Sequence, residues 1–213
     1  EINILINPVY DYTKRQLADY LCDEDGYEFD ATATDEEIAE KVRSQDNRFP
    51  PQLCEGTVIL TKICKKVLES CDGLFFHSSS LSLDGEGYLF TALSGTGKST
   101  HTRLWRELFG DKAVMVNDDK PFLKITDGAV IVCGSPWTGK HGLGNNVSFP
   151  LKGICILSRG TENRICPLTP DDAADFLRSQ CFVPEDSEQA GRALELLERL
   201  IQMVPLWQME CTK

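Results

Sequence analysis

The chain has 213 residues, with 33 acidic against 22 basic side chains, a formal net charge of -11 and 41% hydrophobic content. That is enough apolar material for an α/β core without disulfide or metal staples, and the acidic balance argues against a nucleic-acid partner, whose phosphates need clustered Lys and Arg. The apolar runs fall far short of the ~20 residues of a bilayer span, and no basic stretch precedes the opening Glu-Ile-Asn-Ile-Leu-Ile, so neither membrane segment nor secretory signal is expected and the expected location is cytoplasmic.

In chain order, residues 2–6 read as a strand, 12–21 as a helix and 27–32 as a strand. A helix then starts at Thr34, whose hydroxyl pairs with Glu37 in a capping box. Residues 46–51 read as a loop closed by two prolines. Beyond it Val58, Thr61, Ile63, Val67 and Leu68 recur at helical spacing, with Lys62, Lys65 and Lys66 on a solvated face. The break predicts a small N-terminal lobe over 1–50 and a second domain over 51–213.

From residue 73 the period shortens to that of strands. Residues 74–77 and 88–92 are predicted to pair as a hairpin around Asp84-Gly85-Glu86-Gly87. A helix over 99–109, ended by Gly110, leads into a strand at Ala113–Asn117, and shorter strands follow at 122–126, 129–133 and 153–157. Thr169-Pro170-Asp171-Asp172 opens one C-terminal helix, and a second amphipathic helix covers 187–203. The nine cysteines include no Cys-x-x-Cys pair and no finger-like His spacing, so they read as reduced structural thiols.

Between the strand at 88–92 and the helix at 99 stands Ala92-Leu-Ser-Gly-Thr-Gly-Lys-Ser99, which fits the phosphate-loop pattern G-x-x-x-x-G-K-[ST] except for alanine at its first position. Gly95 and Gly97 let the backbone turn its amides toward a polyphosphate, and the helix start adds positive potential. Ser94, Gly95, Thr96, Gly97, Lys98, Ser99 and Thr100 are therefore the expected binders of ATP or another nucleoside triphosphate. Lys98 is placed to reach the β- and γ-phosphates and Ser99 to hold Mg2+. Asp118 and Asp119 close the next strand, where such sheets collect ligands. One acid would hold magnesium and the other accept a hydroxyl proton, in either order. Because strand side chains alternate, both can act only if the chain turns there.

The segment Leu93-Ser-Gly-Thr-Gly-Lys-Ser-Thr100 resembles the phosphate loop of phosphoenolpyruvate carboxykinases, and the layout around it resembles bacterial HPr kinase/phosphorylase. The resemblance spans about residues 74–157. It implies an α/β P-loop kinase core of that type with a mixed sheet, a small N-terminal α+β lobe and C-terminal helices. It makes His77, upstream of Gly85 and Gly87, an active-site candidate and gives the Asp118-Asp119 pair one base toward a substrate serine. It also allows a homo-oligomer, since HPr kinases assemble. The chain is much shorter than a carboxykinase, and its lobe and its Gly134–Asn146 stretch depart from the HPr kinase pattern.

That stretch, Gly134-Ser-Pro-Trp-Thr-Gly-Lys-His-Gly-Leu-Gly-Asn-Asn146, is too glycine-rich for regular structure and reads as a mobile loop closing over the site. Lys140 and His141 are its candidates for phosphate or acceptor contact and Trp137 for an apolar or stacking surface. His101, one turn into the helix that follows the glycine-rich loop, reads as a packing or capping residue. The expected activity is transfer of the γ-phosphate of ATP to a hydroxyl of a protein, peptide or metabolite. A nucleotide-sensing module without turnover, a small-metabolite kinase and an NTPase remain open, because a phosphate loop does not report the acceptor.

Overall fold

The computed structural model describes residues 2–23 and 26–212, which divide into two compact units, 1–67 and 68–213. The division falls inside a helix rather than at the Pro50-Pro51 break predicted from sequence.

In the first unit, β1 (Ile4–Leu5) and β2 (Phe29–Asp30) form a parallel two-stranded ribbon, shorter than the strands predicted there. Helix α1 (Asp11–Leu17) ends in a 3-10 turn over Ala18–Tyr20. Helix α2 (Asp35–Ser44) carries the capping box expected of Thr34 and Glu37. Helix α3 (Pro51–Cys71) starts directly at the second proline, several residues ahead of the periodic stretch, because Pro suits the first helical position. Lys62, assigned to a solvated face, instead donates to Glu37 and to the Thr32 carbonyl at 2.8 and 2.7 Å.

Glu55, on α3, is fully buried and serves as the cap that α1 lacks in its own Tyr10. Its carboxylate accepts from the Val9 and Tyr10 amides at 2.6 and 3.3 Å and from the Thr13 hydroxyl. Glu55→Ala would strand those donors out of water and is expected to cost about 2–4 kcal/mol. Hydrogen exchange at the Val9 and Tyr10 amides should accelerate accordingly, and unchanged protection there would refute this role.

The second unit is built on a nine-stranded sheet, mixed and mostly antiparallel. Its main path runs β3 (Gly73–Phe75), β7 (Phe122–Ile125), β8 (Val130–Cys133), β9 (Ser148–Arg159), β5 (Glu86–Thr91), β4 (Ser79–Leu83) and β6 (Ala113–Asn117). An antiparallel ribbon of β10 (Arg164–Leu168) and β11 (Leu206–Cys211) joins through the parallel pairing of β11 with β9. The hairpin partner of β5 is therefore β4, while β3 pairs with β7; the expected pairing of 74–77 with 88–92 is corrected. After α5 (Pro170–Gln180) and α6 (Ser187–Met203) the chain re-enters the sheet as β11, which the expected C-terminal helices omit.

Strand alternation divides the core into two faces. Leu89, Val116, Ile154 and Ile156 pack on one face with Leu177, Leu196 and Leu200 of α5 and α6. Phe90, Met115, Cys155 and Leu157 form the other, against which Trp105 of α4 (Lys98–Phe109) packs. Strand β4 is antiparallel to both β5 and β6, and β9 and β11 run parallel to β5. Strands β5, β6, β9 and β11 thus point one way. Their carboxyl ends bring the glycine-rich loop, the acid pair, Arg159 and Thr212 to one rim.

All nine cysteines are free thiols. Burial pushes Cys155 and Cys181 up to about 12, which leaves them as inert packing groups.

Candidate functional site

The loop leaving β5 shows why its first position tolerates alanine. Ala92 is buried and is not among the residues with positive φ, whereas Gly95 and Gly97 sit at φ +77° and +130°, where a side chain would be strained. Gly97 is the N-cap of α4 and makes no side-chain capping bond, so the helix presents bare backbone to the cleft. Lys98 is buried and folds back to donate to the Ala92 carbonyl at 2.9 Å. Burial pulls its ammonium below the usual lysine range, and the nearby Asp119 carboxylate partly restores it.

The chain turns after β6, as two active acids require. The buried Asn117 makes that turn: its Oδ1 accepts from the Asp119 and Lys120 amides at 2.9 and 2.6 Å. Its Nδ2 donates to the Ser135 and Trp137 carbonyls at 3.0 and 3.4 Å, tying the turn to the 134–146 segment.

The two acids then differ. Asp118 is 3% exposed; its Oδ1 accepts from the Gly139 amide at 2.5 Å, while its Oδ2 has no partner. Burial raises its pKa above the usual carboxylate range, although the Gly139 and Leu143 backbone contacts oppose that. Asp119 faces His77 Nε2 at 3.2 Å and the Lys120 ammonium at 3.1 Å. Burial alone would raise Asp119 too, but His77 and Lys120 bring it below the usual range, so it stays ionised. The only other buried side-chain oxygen without a partner among the described residues is Ser78 Oγ, whose own amide donates to the Asp119 carbonyl at 3.0 Å. Both orphans border the same turn.

His77 is held from behind by Gln180, the buried last residue of α5, which faces ring Nδ1 at 3.1 Å through Oε1 and accepts the His77 amide at 2.8 Å. The two ring nitrogens thus face Gln180 Oε1 and an Asp119 carboxylate oxygen, which fixes the plane of the ring.

A cleft of about 500 Å3 gathers His77, Ser94, Lys98, Ser99, Asp118 and Asp119, together with Gly95, Gly97 and Thr100. Lys140 and His141 line it as well, at the exposed tip of the 134–146 segment. That segment is pinned to β6: Asp118 donates to the Leu143 carbonyl at 2.9 Å, and Asn145 donates to the Val116 and Met115 carbonyls at 3.1 and 2.7 Å. A Cβ on Gly139 would lie 3.2 Å from the Asp118 carboxylate, a tight contact that would push the carboxylate by a few tenths of an ångström. Trp137 does not line this cleft. It is 5% exposed, so the apolar or stacking surface expected of it is not offered to this cleft in the structure described. Thr96 lines a neighbouring cleft instead. His101 packs as expected, 4.5 Å from the Phe90 ring centroid, with Nε2 accepting from the Trp105 indole at 3.0 Å.

Among the described residues no three His, Cys, Asp or Glu side chains gather to enclose a metal. The oxygens present fit a hard cation that keeps waters and shares substrate phosphates. No helix among the described residues is long and apolar enough to cross a membrane.

No protein-family model and no curated protein matches the chain. Among solved structures it is similar to the Hpr(Ser) kinase/phosphatase from Coxiella burnetii, over 65% of this chain and 85% of that one, at 12% identity and a TM-score of 0.37.

Proposed function

We propose that this chain is a phosphotransferase of HPr-kinase-like type that moves the γ-phosphoryl group of ATP, or of another nucleoside triphosphate, to a hydroxyl of a protein, peptide or metabolite. The observation that carries the reading is Asp118 Oδ2, buried and unpartnered in the same cleft as Lys98 and Ser99. A buried carboxylate oxygen without a partner is costly, and the proton of an acceptor hydroxyl would satisfy it.

In this reading the glycine-rich loop and the start of α4 cradle the phosphates and Lys98 moves from the Ala92 carbonyl onto them. Asp118 is the base, because burial lifts its proton affinity toward working pH. The acceptor oxygen bonds to the γ-phosphorus, its proton passes to Asp118, and the bond to the leaving diphosphate oxygen breaks. Asp119 and Ser99 would hold magnesium, which supplies charge neutralisation of the phosphates when bound. His77 and Lys120 keep Asp119 ionised for that task.

The test uses γ-labelled ATP with magnesium and a panel of serine peptides, sugars and polyols. Label should appear on an acceptor class; bound nucleotide that transfers to none of them, or only to water, counts against the proposal.

A further inference from the structure

His77 reaches Asp119 from the short connection between β3 and β4, and its side chain is 40% exposed. Its backbone is fastened twice. Thr91 Oγ1 donates to its carbonyl at 3.1 Å, and its own amide donates to the Gln180 carbonyl at 2.8 Å. The second bond belongs to a longer contact, in which residues 180–182 run antiparallel to 75–77. Phe76 and Cys181 form a bridge there, and the Phe182 amide donates to the Phe75 carbonyl at 3.1 Å. Main chain alone thus ties the end of α5 to the site. The orientation of the half-exposed ring is a separate matter, because these bonds leave its side-chain torsions free.

The Gln180 side chain supplies that orientation. The Ser179 hydroxyl gives its proton to the Phe176 carbonyl at 2.6 Å, so its oxygen can only accept. Gln180 Nε2 donates to it at 2.9 Å, which turns Oε1 toward His77 Nδ1 at 3.1 Å. An amide oxygen only accepts, so Nδ1 carries a proton and donates it. Nε2 is then aimed at Asp119 Oδ1 at 3.2 Å, while Lys120 meets Oδ2 at 3.1 Å. Asp119 is held at both oxygens, and each keeps a lone pair for a cation.

We propose that Gln180 is a positioning residue for phosphoryl transfer: its side chain, oriented by Ser179, holds the His77 ring against Asp119 and so fixes that carboxylate. The proposal rests on the reading above, in which Asp119 holds magnesium. Groups that orient a metal-binding carboxylate from behind set its affinity without touching the metal.

Gln180→Leu removes both amide bonds and leaves the main-chain contacts, whereas Gln180→Glu keeps an acceptor for Nδ1. Nitrogen-15 spectra of the metal-free proteins, in a chain with only three histidines, read the Nδ1 proton directly. The parent and Gln180→Glu should show a His77 Nδ1 proton protected from exchange, and Gln180→Leu should lose it. In transfer assays Gln180→Leu should need about tenfold more magnesium for half-maximal rate, the low end of the cost of such partners, with Gln180→Glu restoring most of it. A parent Nδ1 without a proton, an unchanged magnesium requirement in Gln180→Leu, or a loss that Gln180→Glu does not restore would each overturn the proposal. Absence of transfer from all three proteins would instead remove the transferase reading, and the Nδ1 proton alone would then decide whether Gln180 holds the ring.

Discussion

Asp118→Asn is expected to lower phosphoryl transfer by about 10^2–10^4-fold while leaving nucleotide affinity within a few-fold, the range associated with loss of a positioned base. Asparagine keeps the shape, and its Oδ1 can still accept from the Gly139 amide, so the pinned 134–146 segment is retained. What disappears is the unpartnered Oδ2. Asp119→Asn should behave differently, because that carboxylate faces His77 and Lys120 rather than standing alone. Its loss should raise the magnesium concentration needed for half-maximal rate. Single-turnover rates across a magnesium titration separate the two variants. If Asp118→Asn transfers at the parent rate while Asp119→Asn is dead at every magnesium level, the assignment of base and metal ligand is reversed.

Local signals were legible at the candidate site. Gly95, Gly97 and Lys98 stand close together in the sequence, and Asp118 and Asp119 directly follow the strand at Ala113–Asn117, where its apolar run stops. Pairing was harder to read. Strand β4 is Ser-Ser-Leu-Ser-Leu, with serines buried inside the sheet, so its polar composition hid it as the partner of β5. Strand β10 contains Arg164 and Pro167 and is largely exposed, and β11 alternates weakly, so neither announced itself. The groups that orient the site arrive from far along the chain: Gln180 lies 103 residues from His77, and Arg159 lies 64 residues from Gly95. Asn117 was the one with a local signature. An Asn that closes a strand ahead of two acids predicts a side-chain-capped turn, and that turn decides which acid is buried.

Lys98→Met separates a phosphate-binding role from a structural one. The lysine is 9% exposed, and burial already disfavours its charged form, with Asp119 only partly compensating. Beyond that attraction its local gain is the bond to the Ala92 carbonyl, and methionine fills much of the same volume. The folded protein should therefore keep its melting temperature or gain slightly, because a desolvated ammonium is replaced by an apolar side chain. Nucleotide affinity should fall about 10–100-fold, the worth of one charge-assisted hydrogen bond to phosphate, and transfer should fall further because developing charge on the leaving oxygens loses its counter-charge. Thermal denaturation with and without magnesium and ATP reads both effects: the variant should lose the ligand-induced rise in melting temperature without losing intrinsic stability. A variant that melts several degrees lower yet still gains the full ligand-induced rise would make Lys98 a strut for the loop, and the anion cradle would have to lie elsewhere on the rim.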